Sequence, residues 1–127
     1  MDLKEVSSNS LAFIGDAYYS LKVREYLVGC GYNRAKDLQV LCNNYVSAKS
    51  QHEIFNHFLE ENEFSEIELE YFKRGRNHIG HIPKNGDLKT YKTATGFEAL
   101  VGYLYIVKDP HLDIIFEKMF EWRSVKW

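Results

Sequence analysis

Apolar side chains recur at three- and four-residue steps along most of the chain, the spacing that lines one face of an α-helix. Leu11, Ile14, Tyr18, Leu21 and Val28, with Phe13 and Ala17 beside them, predict a long buried helix over about residues 10–28. Gly29 and Gly31 offer its stop. A shorter helix follows at about 36–43. Val46, Ile54, Phe55, Phe58 and Leu59 mark a third, ending near the acidic segment at 60–62. Ser65 with Glu68 three residues on is a capping-box pattern that opens a fourth helix through about residue 74. Over residues 75–92 the pattern fails. Gly75, Gly80, Pro83 and the turn signal Asn85-Gly86 make this stretch read as a long loop, a common place for function. A fifth helix is expected over about 95–107, broken by Asp109-Pro110. A last one, about 111–122, places Leu112, Ile115, Met119 and Trp122 on one face. Strand signals are weak throughout, and the expected fold class is all-α.

A chain of 127 residues fits a single domain over 1–127. With 45% hydrophobic residues, including eight Phe, nine Tyr and two Trp, it can bury a core without a disulfide or metal staple. Cys30 and Cys42 match neither a CxxC pair nor a zinc knuckle and read as reduced, mostly buried thiols. No leader pattern and no apolar run of membrane-spanning length is visible, which points to a soluble, cytoplasmic protein with no membrane partner. The net charge of −2 hides a segregation. Residues 53–70 hold seven Glu and no Lys or Arg, whereas residues 73–92 hold six basic residues against Asp87 alone. Such a basic stretch can hold a polyanion locally.

Three features can carry chemistry. Asp16 sits inside the most apolar helix, beside Gly15, where an ionised carboxylate is costly unless it is paired, hydrogen-bonded or bound to a cation. A polar stripe or a buried Arg partner would serve equally well. Glu98 is embedded in the second apolar helix, with Gly96 and Gly102 suggesting close helix contact. Thr95 with Glu98 is itself a capping-box pattern, so a capping role competes with a ligand role. If the two carboxylates meet, oxygen-only ligands of this kind suit Mg²⁺. The basic stretch interleaves Lys73, Arg74, Arg76, Lys84, Lys89 and Lys92 with Asn77, His78 and Asn85, a mixture suited to phosphate and sugar contacts or to a solvated surface. His78 and His81 form an HxxH pair with no further clustered ligand. Lys49 follows a Ser/Ala helix start, where it would meet a phosphate or simply lie exposed.

Taken together, LAFIGDAYYSLKVREYL, YVSAKSQ, FKRGRN, PKNGDLKTYK and TGFEALVGYLY resemble Mini-ribonuclease III, a short branch of the ribonuclease III family, over about residues 10–107. The resemblance implies a helical-bundle endonuclease domain that acts as a homodimer and uses Mg²⁺ to cut double-stranded RNA, leaving 5′-phosphate and 3′-hydroxyl ends. By the match to IGDA and FEAL, Asp16 and Glu98 would be catalytic metal ligands. Lys49, Lys73, Arg74, Arg76, Asn77, His78, Lys84, Asn85, Lys89 and Lys92 would meet the RNA. The implied physiological substrate is the stem of precursor 23S ribosomal RNA, with a ribosomal protein as a candidate accessory partner.

The chain departs from full-length ribonuclease III at three acidic positions, where Asn9, Ala12 and Thr95 stand instead, so the number of metal ions is open. No separate double-strand RNA-binding domain is visible, and grip must come from the domain itself, as suits the shape and phosphates of A-form RNA. Two rivals compete with the endonuclease. A catalytically silent, dimeric RNA-binding relative would be expected to lose both acids, and a helical adaptor would have no use for the basic stretch.

Overall fold

The computed structural model describes residues 1–78 and 87–124, and these form six α-helices with a short 3-10 turn at Leu3–Glu5 before the first. They are α1 (Ser8–Gly29), α2 (Ala35–Val46), α3 (Ala48–Glu60), α4 (Glu66–Asn77), α5 (Leu88–Ile106) and α6 (His111–Trp122). The all-α expectation holds. Local chemistry sets most of the starts. Ser7 and Ser47 accept from the backbone of Ser10 and Ser50, each at 3.1 Å, to open α1 and α3. The capping box of α4 is closed in both directions, Ser65 N–H to Glu68 Oε1 at 2.8 Å and Glu68 N–H to Ser65 Oγ at 3.2 Å.

The expected loop over 75–92 is shorter at both ends than the apolar pattern suggested. Helix α4 runs on to Asn77, and α5 starts at Leu88, seven residues before the expected start. Asp87 caps α5, accepting from Lys89 N–H at 3.2 Å and Thr90 Oγ at 3.0 Å. The first turns of α5 read Leu-Lys-Thr-Tyr-Lys, too polar to reveal helical periodicity, and the cap supplies the signal instead.

Helix α5 is the centre of the bundle, packed against α1, α3 and α4. It buries residues on all sides, among them Ala94, Phe97, Leu100, Val101 and Leu104, as a helix surrounded by others must. Phe97 meets the rings of Tyr19 from α1 and Phe55 from α3, tying three helices at one point. The face of α1 turned inward is Leu11, Ala12, Gly15, Tyr19, Val23 and Leu27. This corrects the expected face: Leu21 and Val28 are exposed, and Phe13 is 80% exposed. Helix α1 is apolar nearly all round, so periodicity alone could not choose its inner side. Leu59 and Trp122 are also exposed, and of the two cysteines only Cys42 is buried. Among the described residues no helix is long and apolar enough to cross a membrane.

The α1–α5 contact is the most extensive between any two helices, and glycine makes it possible. A Cβ on Gly15 would lie 1.8 Å from the Glu98 carbonyl oxygen, and one on Gly102 would lie 2.0 Å from the Leu11 carbonyl oxygen. Both clashes are with backbone, which cannot swing aside. Gly15→Ala should therefore destabilise the fold by about 3 kcal/mol or more in denaturant melts. A change under about 0.5 kcal/mol would show that the helices separate without cost.

A second tie fastens α6 to the start of α4. His111 faces Glu68 from Nδ1 at 2.5 Å and Glu63 from Nε2 at 2.9 Å, while Lys118 reaches Glu63 at 2.7 Å. A neutral imidazole has one N–H, so two carboxylates favour the doubly protonated ring. Burial opposes that charge, but hydrogen bonds to Glu63 and Glu68 outweigh it and raise the His111 pKa. Burial likewise pushes Glu63 up, but its bonds to His111 and Lys118 prevail and lower it. The raised His111 contributes fully below its unfolded value and fades as pH climbs through its folded one. The depressed Glu63 contributes above its unfolded value and fades as pH falls through its folded one. The cluster is therefore strongest between about pH 4.3 and 6.5. His111→Gln is expected to cost about 2–4 kcal/mol near pH 6 and progressively less in alkaline melts. A difference independent of pH would refute a charged His111.

Candidate active site

The glycine crossing decides where the two acids of the sequence motif end up. Asp16 follows Gly15 on α1, and Glu98 lies one turn before Gly102 on α5, so the backbone contact draws their carboxyls together. Glu98 is half-buried and Asp16 is exposed. The apolar surroundings expected for Asp16 thus belong to its partner, and among the described residues no Lys or Arg forms an ion pair with it. Burial pushes the Glu98 carboxyl up to about 8, helped by a shared hydrogen bond with Asp16 and by the Asp16 charge. The Gln51 carboxamide, facing Glu98 from the first turn of α3, draws it part of the way back. The competing capping role for Glu98 is excluded, because Asp87 caps the helix and Thr95 lies mid-helix with its hydroxyl on the Tyr91 carbonyl at 3.0 Å.

This donor set fits a hard divalent cation. Among the described residues two carboxylates meet without a third His, Cys, Asp or Glu beside them, and the burial and repulsion that raise Glu98 are what a cation between them would offset. Among the described residues no group of three or more His, Cys, Asp or Glu side chains is placed to hold a metal. The remaining coordination positions would fall to water and substrate oxygens, the usual habit of Mg²⁺.

The basic residues separate into groups. Arg76, Asn77, Lys89 and Lys92 line one groove of about 620 Å³ with His52 and Asn56, between α3, the end of α4 and the start of α5. Its walls are the helices that carry Gln51 and Glu98. Arg76 also lies over the Phe72 ring, 5.6 Å from its centroid. Lys73 and Arg74 are exposed on α4, but Arg74 is held by Glu70 at 2.9 Å and stacks over Tyr71. His78 is exposed at the end of α4, and Lys49 is exposed on the first turn of α3, apart from the groove. Lys84, Asn85 and His81 lie outside the described residues.

Sequence reasoning alone passes over Gln51. The signal is present nonetheless: Gln51 shares the i, i+3, i+4, i+7 face of Ile54, Phe55 and Phe58, so the pattern itself places a carboxamide in the core.

Comparison with known proteins identifies the family. A family model described as the Ribonuclease III domain matches residues 9–109. The Mini-ribonuclease 3 of Enterococcus faecalis is 40% identical over 108 residues, 84% of this chain and 82% of that protein. The Mini-ribonuclease 3 of Staphylococcus aureus is 34% identical over 119 residues, 92% of this chain and 89% of that protein. A crystal structure of a Fusobacterium nucleatum protein superposes with a TM-score of 0.84 at 30% identity, covering 95% of this chain and 98% of that one. By its sequence the chain belongs to the Mini-ribonuclease 3 branch of the ribonuclease III family.

Proposed function

We propose that this endoribonuclease cuts double-stranded RNA with Mg²⁺ held by Asp16 and Glu98. The observation that carries the reading is the meeting of these two carboxyls at the glycine crossing. When bound, the ion would supply charge at the phosphodiester and lower the pKa of an attacking water. The chain's own contribution is placement. Asp16, exposed, and Glu98, half-buried on the central helix, would hold the ion between α1 and α5. The resemblance further supports the stem of precursor 23S ribosomal RNA as substrate, a cytoplasmic location and a ribosomal protein as accessory partner. Homodimerisation is supported by the outer side of α1, where Phe13, Ala17, Leu21 and Val28 lie exposed at steps of four and seven residues next to Asp16. A second copy on that stripe would set two cleavage centres on one duplex. A silent RNA-binding relative is disfavoured because both acids are present and paired.

The purified chain is expected to cut long duplex RNA with Mg²⁺ and to stop with EDTA. Asp16→Asn and Glu98→Gln should each lower cleavage by at least about a hundredfold while leaving duplex affinity, measured without a divalent ion, and dimerisation largely intact. Near wild-type cutting by either variant would remove that residue from the site. Neutralising Lys73, Arg74 and Arg76 together should weaken duplex binding and flatten its salt dependence by about one unit of slope for each phosphate no longer held. An unaltered slope would take these residues out of the interface.

A further inference from the structure

Gln51 is the buried polar group that the assigned chemistry leaves unused. It is 2% exposed, on the first turn of α3, on the inner face that packs against α5, where Phe55 one turn on meets Phe97, the residue before Glu98. Its Nε2 is close enough to Glu98 to favour the ionised carboxylate, yet among the described residues no group, Glu98 included, completes a hydrogen bond to it. A carboxamide kept for packing alone would be poorly chosen, since an unmade buried N–H costs about 1–3 kcal/mol. A leucine of similar volume would fill the same space without that cost. The neighbouring Ser50 is paired, donating to the Asn43 carbonyl at 3.2 Å while its own N–H reaches Ser47 Oγ at 3.1 Å. Of the two buried side-chain nitrogens without a partner among the described residues, Gln51 Nε2 and His52 Nδ1, the first lies on the fully buried side of α3, next to Glu98.

We propose that Gln51 is a positioning residue of the metal site, its carboxamide steering the Glu98 carboxylate and offering an unpaired N–H to an oxygen held there. The inference rests on the reading of Asp16 and Glu98 as metal carboxylates. A neutral donor suits this place better than a third acid. It orients a carboxylate without adding a negative charge to a pair that already repels, and its N–H is free for a water or phosphate oxygen. Ligating carboxylates commonly need such a partner to keep their orientation.

The test is Mn²⁺ binding by the protein without RNA, followed by electron paramagnetic resonance of the free ion, together with melting and steady-state cleavage. Gln51→Leu is expected to melt at or above the wild-type temperature, because removing an unsatisfied donor takes nothing from the fold. Its Mn²⁺ affinity and kcat should fall by about tenfold to a hundredfold, with KM for the duplex unchanged. Should the leucine variant misfold, Gln51→Met, unbranched and of similar length, carries the same expectation. Wild-type Mn²⁺ affinity and kcat in the folded variant would overturn the proposal and leave Gln51 as packing. Asp16→Asn and Glu98→Gln run alongside separate the two levels. If they too bind Mn²⁺ as the wild type does, the metal-site reading itself fails. If they lose binding and Gln51→Leu does not, only the role of Gln51 falls.

Discussion

The backbone contact between α1 and α5 is the constraint from which the site follows. Two helices that touch through Gly15 and Gly102 lie closer than side chains would permit, and α1 then buries Leu11, Ala12, Tyr19 and Val23 along its inner face, turned to the central helix of the bundle. Gly15 gives up about 1 kcal/mol of helix stability relative to alanine. Close packing along the whole length of α1 offsets that cost. Asp16 and Glu98 are neighbours of this contact, so their approach follows from helix packing and needs no loop to arrange it.

Rigidity of this kind suits a metal site. Side chains on packed helices hold their positions better than side chains on loops, and α5 is restrained from three sides by α1, α3 and α4. The same frame divides the labour between the two acids. Glu98, half-buried, bears the desolvation and the repulsion. Asp16, exposed, remains accessible to a cation and to substrate. The basic groove lies along α3 and α5, so the elements that fix the carboxylates also carry Arg76, Lys89 and Lys92 or face them.

Away from the site the fold is fastened by polar chemistry that periodicity does not report. Glu68 closes the capping box with one carboxylate oxygen and meets His111 with the other. Its burial is thereby compensated on both sides, as a buried carboxylate requires. Such double use links the start of α4 to the start of α6, two helices that are distant in sequence.

By itself the sequence determined the number of helices, the capping box at Ser65 and Glu68, and two acids set beside glycines in apolar helices. These are local matters, settled within a turn or two of chain by spacing, capping and helix propensity. It also carried family motifs that single out Asp16 and Glu98 as candidates. The tertiary structure alone decided which side of α1 faces inward, because a helix apolar all round has no preferred face until a partner is chosen. It decided that Glu98 stands mid-helix and not at a cap, since the polar first turns of α5 hide their helicity. It also decided that Gln51 faces Glu98, and that His111 lies between two carboxylates. Each of these depends on where two helices cross, and crossing points are set by side chains far apart in the chain.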